Sequence, residues 1–306
     1  MASVLSAPHY HDEDAAFAYV EKAVWPEGPV CPHCGGVERI SKMQGSATRK
    51  GLHKCYQCRR QFTVRMGTIF ESSHVPLHIW LQAIFFVAGS KKGISSNQLH
   101  RTLGVTLKTA WFMSHRIREA MRDGALAPLG GEGEIVEVDE TYIGHLKGRP
   151  VAKAFHHKMK VLSLVERGGK SRSLVIERIG AAALVPIVKA NLDSETHVMT
   201  DEAHSYRYLA HHFAQHSHVN HNRGEYVRGE AFTNTVEGFF SIFKRGMRGV
   251  YQFCGEKHLH RYLAEFDFRY SNRAALGCDD QERATRLLRG IVGKRLTYQT
   301  ACARTT

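Results

Sequence analysis

The sequence predicts an α/β chain, with a mixed-sheet domain preceded by a small cysteine-bearing ribbon and a helical segment. Three observations carry this. Two Cys-x2-Cys pairs sit within the first sixty residues. A helical pattern runs from about Pro76 to Arg122. After a Gly/Pro stretch, "GALAPLGGEGE", strand-like alternation begins and then gives way to helix, strand and helix.

In chain order, "DEDAAFAYVEKAVWPEG" opens with acidic residues suited to a helix N-terminus and stops at Trp25-Pro26, which predicts a short amphipathic helix. Cys31, Cys34, Cys55 and Cys58 form the two pairs, with twenty residues between Cys34 and Cys55. No secretory signal precedes them, so they read as a four-thiolate Zn²⁺ site in a reducing compartment, structural because no coordination position stays open. The basic residues Lys54, Arg59, Arg60 and Arg65 surround the ribbon.

Next, "LHIWLQAIFFVAG" reads as one helix. "SSNQLHRTLG" and "TLKTAWFMSHRIREAMRDG" read as two more, joined at Gly104. This is a helix-turn-helix layout. Its second helix would bring Lys108 and Thr109 to base edges and Arg116 to the DNA backbone. The chain carries 42 Lys and Arg against 29 Asp and Glu, a formal charge of +13, which favours a polyanionic partner such as DNA. No apolar run reaches the length of a membrane span, and the cytoplasm is the expected compartment.

In the remaining part, "EIVEVDETYIG" alternates as a strand, and "HKMKVLSLVERGGKSRSLVIERI" reads as two strands around Gly168-Gly169. "AAALVPIVKANL" reads as a helix despite Pro186, "THVMTD" as a strand, and "HSHVNHN" as a further strand or basic loop. A helix over 233–247 and another in "HLHRYLAEFDFRYSNR" complete the pattern, and the tail from Ala274 is basic without a clear core pattern. The expected domains are an N-terminal helix (1–27), the ribbon (28–70), the helix-turn-helix (74–123), the mixed-sheet domain (130–273) and the tail (274–306).

The acids follow this order. Asp139 lies on the first strand, Asp201 ends a later one and Glu237 sits on the following helix. That is the layout of a ribonuclease H-like two-metal site, in which carboxylates hold two hard divalent ions. Glu137, Glu140 and Glu202 are acidic neighbours, and alternation puts Asp139 and Glu140 on opposite faces, leaving the choice between them open. Glu237 and Lys244, seven residues apart, share one helix face.

"WPEGPVCPHCGG", "KCYQCRRQFTVRMGTIFESSHVPL", "VEVDETYIG", "VMTDEAHSY" and "FTNTVEGFFSIFKRGMRGVY", taken together and in this order, resemble the DDE-type transposases of bacterial insertion sequences that carry an N-terminal zinc ribbon, the ISXO-like group. The resemblance runs from about Asp12 to Arg273. It implies Asp139, Asp201 and Glu237 as catalytic ligands of Mg²⁺ or Mn²⁺, and Lys244 as a contact to the element's terminal DNA. It also implies double-stranded DNA, both element ends and target, as partner, and at least a dimer in the DNA complex. The 35 residues between Asp201 and Glu237 are typical of the class. Some relatives carry Asn at the third position, so Asn234 stands as a neighbouring metal-side group, and His204 as a residue of the DNA-facing rim. Two rival expectations are a zinc-ribbon DNA-binding regulator on an inactive scaffold and a nuclease that cuts without joining.

Overall fold

The computed structural model describes residues 3–122, 124, 127–151, 155–201, 205–219 and 233–296. These fall into two compact units. One holds residues up to 90 together with 94–121 and the chain from 280 onward; the other holds 91–93 and 122–279.

In the first unit, α1 (Glu13–Val24) is capped by Asp12, whose carboxylate accepts from the Ala15 N–H at 2.8 Å. The ribbon is an antiparallel sheet of β1 (Ile40–Lys42), β2 (His53–Cys55) and β3 (Gln61–Phe62). Trp25, His53 and Phe62 pack ring against ring beside it. The helix α2 (Leu77–Gly89) buries Leu77, Trp80, Leu81, Ile84 and Val87, and has no cap from its own flank. Glu13 supplies one: its carboxylate accepts from the N–H groups of Leu77 at 2.9 Å and His78 at 3.2 Å. Ser95 caps α3 (Ser96–Leu103), Gly104 turns the chain at φ 66°, and Thr106 caps α4 (Leu107–Ala120).

In the second unit, the five-stranded sheet runs through β4 (Ile135–Ile143), β5 (Met159–Glu166), β6 (Ser171–Ile176), β7 (His197–Asp201) and β8 (Gln215–Val219) in the order β6-β5-β4-β7-β8. The first three strands pair antiparallel; β7 joins β4, and β8 joins β7, in parallel. A meander extended by parallel strands on the far side of β4 is the ribonuclease H-like mixed sheet. Between β6 and β7 lies α5 (Ala181–Asn191), which accommodates Pro186 on its exposed face, where water can satisfy the carbonyl that Pro186 leaves without a donor.

Alternation splits the sheet into two cores. Val136, Val138, Leu162, Leu164 and Ile176 face Leu184, Val188, Tyr206 and Leu209. On the other face, Ile143, Val161 and Val165 meet α6 (Asn234–Gly246) and α7 (Leu259–Ser271) through Val236, Phe239, Phe240, Phe243, Leu263 and Phe266. A π-helical turn, Met247–Tyr251, continues α6. The tail from Ala274 departs from expectation. It contains α8 (Asp280–Arg289), which buries Arg283, Ala284, Leu287 and Leu288 against the first unit, and the Arg283 guanidinium donates to the Ala88 carbonyl at 3.3 Å. Four buried positions in a ten-residue helix dense in charge are too few to stand out as a core pattern.

One polar link ties α7 to the sheet. Asp267 accepts from the Ser171 hydroxyl at 3.0 Å and from the Ser173 hydroxyl and N–H, both at 2.8 Å. Burial pushes its carboxyl up from 3.8 to about 6, against the lowering effect of these donors. The folded state therefore binds the proton more tightly than the unfolded one, so stability falls as pH rises from about 4 to about 6. In Asp267→Asn this contribution to the slope should vanish, as read from urea unfolding midpoints compared with wild type across that window.

Candidate active site and zinc ribbon

The site is built from one face of β4. Glu137, Asp139 and Thr141 alternate onto the side covered by α6, while Val136, Val138 and Glu140 point to the opposite core. Glu137 is 0% exposed. Its Oε1 receives Arg167 Nε at 2.7 Å, and its Oε2 accepts the N–H groups of Thr235 at 2.8 Å and Val236 at 2.9 Å. Those two amides open α6, whose N-cap residue Thr233 offers no side-chain cap. A strand carboxylate thus caps the helix that carries Glu237, where the helix dipole favours negative charge.

The partner aspartate comes through register. In the parallel pairing Val136 lies beside Val198 and Glu137 beside Met199. Two residues further, the same register brings Asp139 next to Asp201. The Asp139 carboxyl is pushed up to about 8, by burial first and then by the charges of Asp201, Glu140 and Glu237, against the pull of the Glu140 N–H at 2.7 Å. Glu140 belongs to the other face, where the Tyr206 hydroxyl donates to its Oε2. This separates Asp139 from Glu140, which the sequence pattern alone does not.

Glu237 lies exposed in the first turn of α6, with Thr233 Oγ1 3.3 Å from its Oε1, and Asn234 is exposed at the first position of the helix. Lys244 is half-buried two turns on, 5.7 Å from the Phe240 ring centre. Burial lowers its amine pKa, as do Arg248 and Lys158, while Asp139 opposes them. Lys244 and Asp139 therefore feel one another's charge, with Arg248 and Lys158 adding to the positive side. His204 and Glu202 lie outside the described residues.

The donor chemistry fits a hard divalent cation: three carboxylates, one of them pushed toward its neutral form by burial and by its neighbours' charge, a condition that a dication relieves. Their oxygens are not drawn together as tightly as the thiolates of the ribbon. Among the described residues, Cys31, Cys34, Cys55 and Cys58 form the one group of metal-ligating atoms all within 4.8 Å of one another. The Cys31–Cys58 and Cys34–Cys55 sulfurs are 3.7 and 3.8 Å apart. A regular tetrahedron with Zn–S bonds of about 2.3 Å has edges of about 3.8 Å. Gly35 at φ 72° and Arg59 at φ 62° form the knuckle turns, and the N–H groups of Gly36, Gln57 and Cys58 bond to the sulfurs of Cys34 and Cys55.

The helix-turn-helix residues are placed less uniformly. Lys108 is exposed at the start of α4. The Thr109 hydroxyl is 2.8 Å from that of Thr106, within the helix cap. Arg116 corrects the sequence reading: it is 4% exposed, and its guanidinium donates to the carbonyls of Ile69 at 2.7 Å, Glu71 at 2.8 Å and Leu296 at 3.1 Å. It sits on the inward stripe with Met113 and Ile117 and serves packing rather than a phosphate. Glu137 is the residue that sequence reasoning passed over. Its signal was its place two residues before Asp139, on the same face of a strand flanked by valines. Replacing Glu137 with Ala removes the buried carboxylate partner of Arg167 and uncaps α6, and should cost about 3–5 kcal/mol in denaturant unfolding. Glu137→Gln, which keeps an acceptor for the amides, should cost less.

Two family models match the chain: a transposase zinc-ribbon domain over residues 11–61 and an ISXO2-like transposase domain over residues 128–271. An uncharacterized protein in transposable element ISH50 of Halobacterium salinarum is 28% identical over 265 residues, covering 80% of this chain and 86% of that protein. A solved structure, the simian T-cell lymphotropic virus intasome in complex with PP2A regulatory subunit B56 gamma, matches at 14% identity and a TM-score of 0.29. That match covers 55% of this chain and 63% of that one, so this chain spans less than two thirds of its length. With both domain models matched in order and a relative from a mobile element covered over most of its length, the chain belongs to the ISXO2-like insertion-sequence transposases that carry an N-terminal zinc ribbon.

Proposed function

We propose that the protein binds the terminal inverted repeats of its element and catalyses divalent-cation-dependent DNA cleavage and strand transfer. The observation that carries this reading is the convergence of Asp139, Asp201 and Glu237 on one side of the sheet, coupled through their charges, with Lys244 beside them. Bound Mg²⁺ or Mn²⁺ would supply activation of the attacking oxygen and neutralisation of the leaving one. Asp139, Asp201 and Glu237 would hold these ions, and Asn234 stands next to that set. Lys244, with Arg248 and Lys158, would hold the backbone phosphates of the element end.

In the first step, water forms a bond to phosphorus and the bond from phosphorus to the 3′ oxygen breaks, leaving a 3′-OH and a 5′-phosphate. In the second, that 3′-OH attacks a phosphate of target DNA, one phosphodiester replacing another, with no net redox change. The protein's share is positioning and charge compensation. Zinc would hold the ribbon together, and the ribbon and helix-turn-helix would bind the ends. Joining needs two ends held at once, so the active species is at least a dimer on DNA. No helix among the described residues is long and apolar enough to cross a membrane, and DNA as substrate puts the protein with the chromosome in the cytoplasm.

With a duplex of the element's end and Mg²⁺, wild type should cut and join. Asp139→Ala and Asp201→Ala should lose both by about three powers of ten or more, the loss of several kcal/mol of charge stabilisation. Strand transfer that survives Asp139→Ala rules out the site. Cleavage without joining in wild type identifies a nuclease, and binding with neither a regulator. For the ribbon, metal analysis should find zinc at about one ion per chain, as a four-thiolate site requires, and Cys58→Ser should lose it. Amide protection in β2 should fall with it, because so small a sheet has little core of its own.

A further inference from the structure

The outward face of α4 carries an unexpected pair. Ala110, Met113 and Ile117 point inward, whereas Leu107 is 46% and Trp111 36% exposed, one turn apart on the same side. The Trp111 ring packs at 59° against that of His115, centres 4.3 Å apart, and His115 is itself buried, so the indole is braced in one direction. Lys108 is exposed between the two apolar residues, and Arg101 and Thr102 are exposed in the last turn of α3. Of the other candidates on this helix, Thr109 is half-exposed with its hydroxyl engaged in the helix cap, and Arg116 is committed inward to three carbonyls.

We infer that Leu107 and Trp111 are base-reading residues that take the 5-methyl groups of thymines in the major groove of duplex DNA. This deepens the DNA-binding reading given above and rests on it. The outward first turns of α4 hold no Arg, Asn or Gln for bidentate recognition of guanine or adenine. What they offer is apolar surface, and the thymine methyl is the one apolar group that a base pair presents in that groove. Charge selects DNA over a second copy of the chain. In a two-fold contact Lys108 and Arg101 would face their own images, like against like; against phosphates the same charges are complementary. Lys108 therefore anchors, while Leu107 and Trp111 discriminate.

The test alters the DNA, so it does not depend on a variant folding. The full-length protein selects its preferred duplexes from a random library, and each thymine of the consensus is then replaced singly by deoxyuridine, which lacks only the methyl. One or two replacements should weaken binding about fourfold each, the effect of burying one such group. The same replacements should have no effect on Trp111→Ala or Leu107→Ser. If every deoxyuridine duplex binds wild type as tightly as its parent while Lys108→Ala still weakens binding, the inference is wrong and the DNA-binding reading stands. If neither Lys108→Ala nor any change on α4 alters selection, α4 does not read the bases and the inference is wrong; if the protein selects no duplex at all, the DNA-binding reading falls with it. A dimer that dissociates on Trp111→Ala, with base preference unchanged, assigns the face to a second copy and also overturns the inference.

Discussion

The buried carboxylate of Glu137 is the contact on which the candidate active site depends. It joins three things that sequence separates widely: the strand that carries Asp139, the guanidinium of Arg167 and the first turn of the helix that carries Glu237. A carboxylate with no exposure would be costly alone, and here a cation and two amides compensate it. The amides are helix-end donors that Thr233 leaves without a side-chain acceptor. The same interaction therefore satisfies a helix end and sets where the helix begins. Since α6 packs its phenylalanines on the sheet below this point, its rotation and height over β4 follow from one anchored end and one apolar stripe.

Around that anchor the electrostatics are arranged in opposition. Burial and then the charges of Asp201 and Glu237 raise the Asp139 carboxyl, and burial and then the charges of Arg248 and Lys158 lower the Lys244 amine. A half-buried cluster of like charge is destabilising by itself and is retained where a ligand of opposite sign completes it. Under the proposed function the acids would meet a divalent cation and the bases the phosphates of DNA.

The first unit shows the same economy of ends. Asp12 caps α1, Glu13 next to it caps α2 across the fold, and Thr106 caps α4. The ribbon's three short strands have a few aromatic neighbours and four thiolates whose spacing matches a zinc tetrahedron. A sheet this small depends on metal more than on burial.

Much of this was legible in the order of residues. Cys31, Cys34, Cys55 and Cys58 declare themselves by spacing, Ser95, Gly104 and Thr106 by the local chemistry of helix ends, and the strands by alternation; all are effects within a few residues of chain. Three matters were not local. Arg116 reads as a surface cation and is buried, because carbonyls from distant segments, Ile69 and Leu296 among them, receive its guanidinium. The helix near the C-terminus reads as a basic tail and packs into the first unit, because its partners lie at the other end of the chain. Glu137 reads as one acid among several, and its role depends on Arg167 and on α6, a hundred residues away in round terms. The sequence by itself determined which elements form and which side chains carry chemistry, since capping, turn and periodicity energies act over neighbouring residues. Only the tertiary structure decided which of those charges are buried, which are paired and which face outward, since desolvation and pairing depend on atoms that the chain brings together only when it folds.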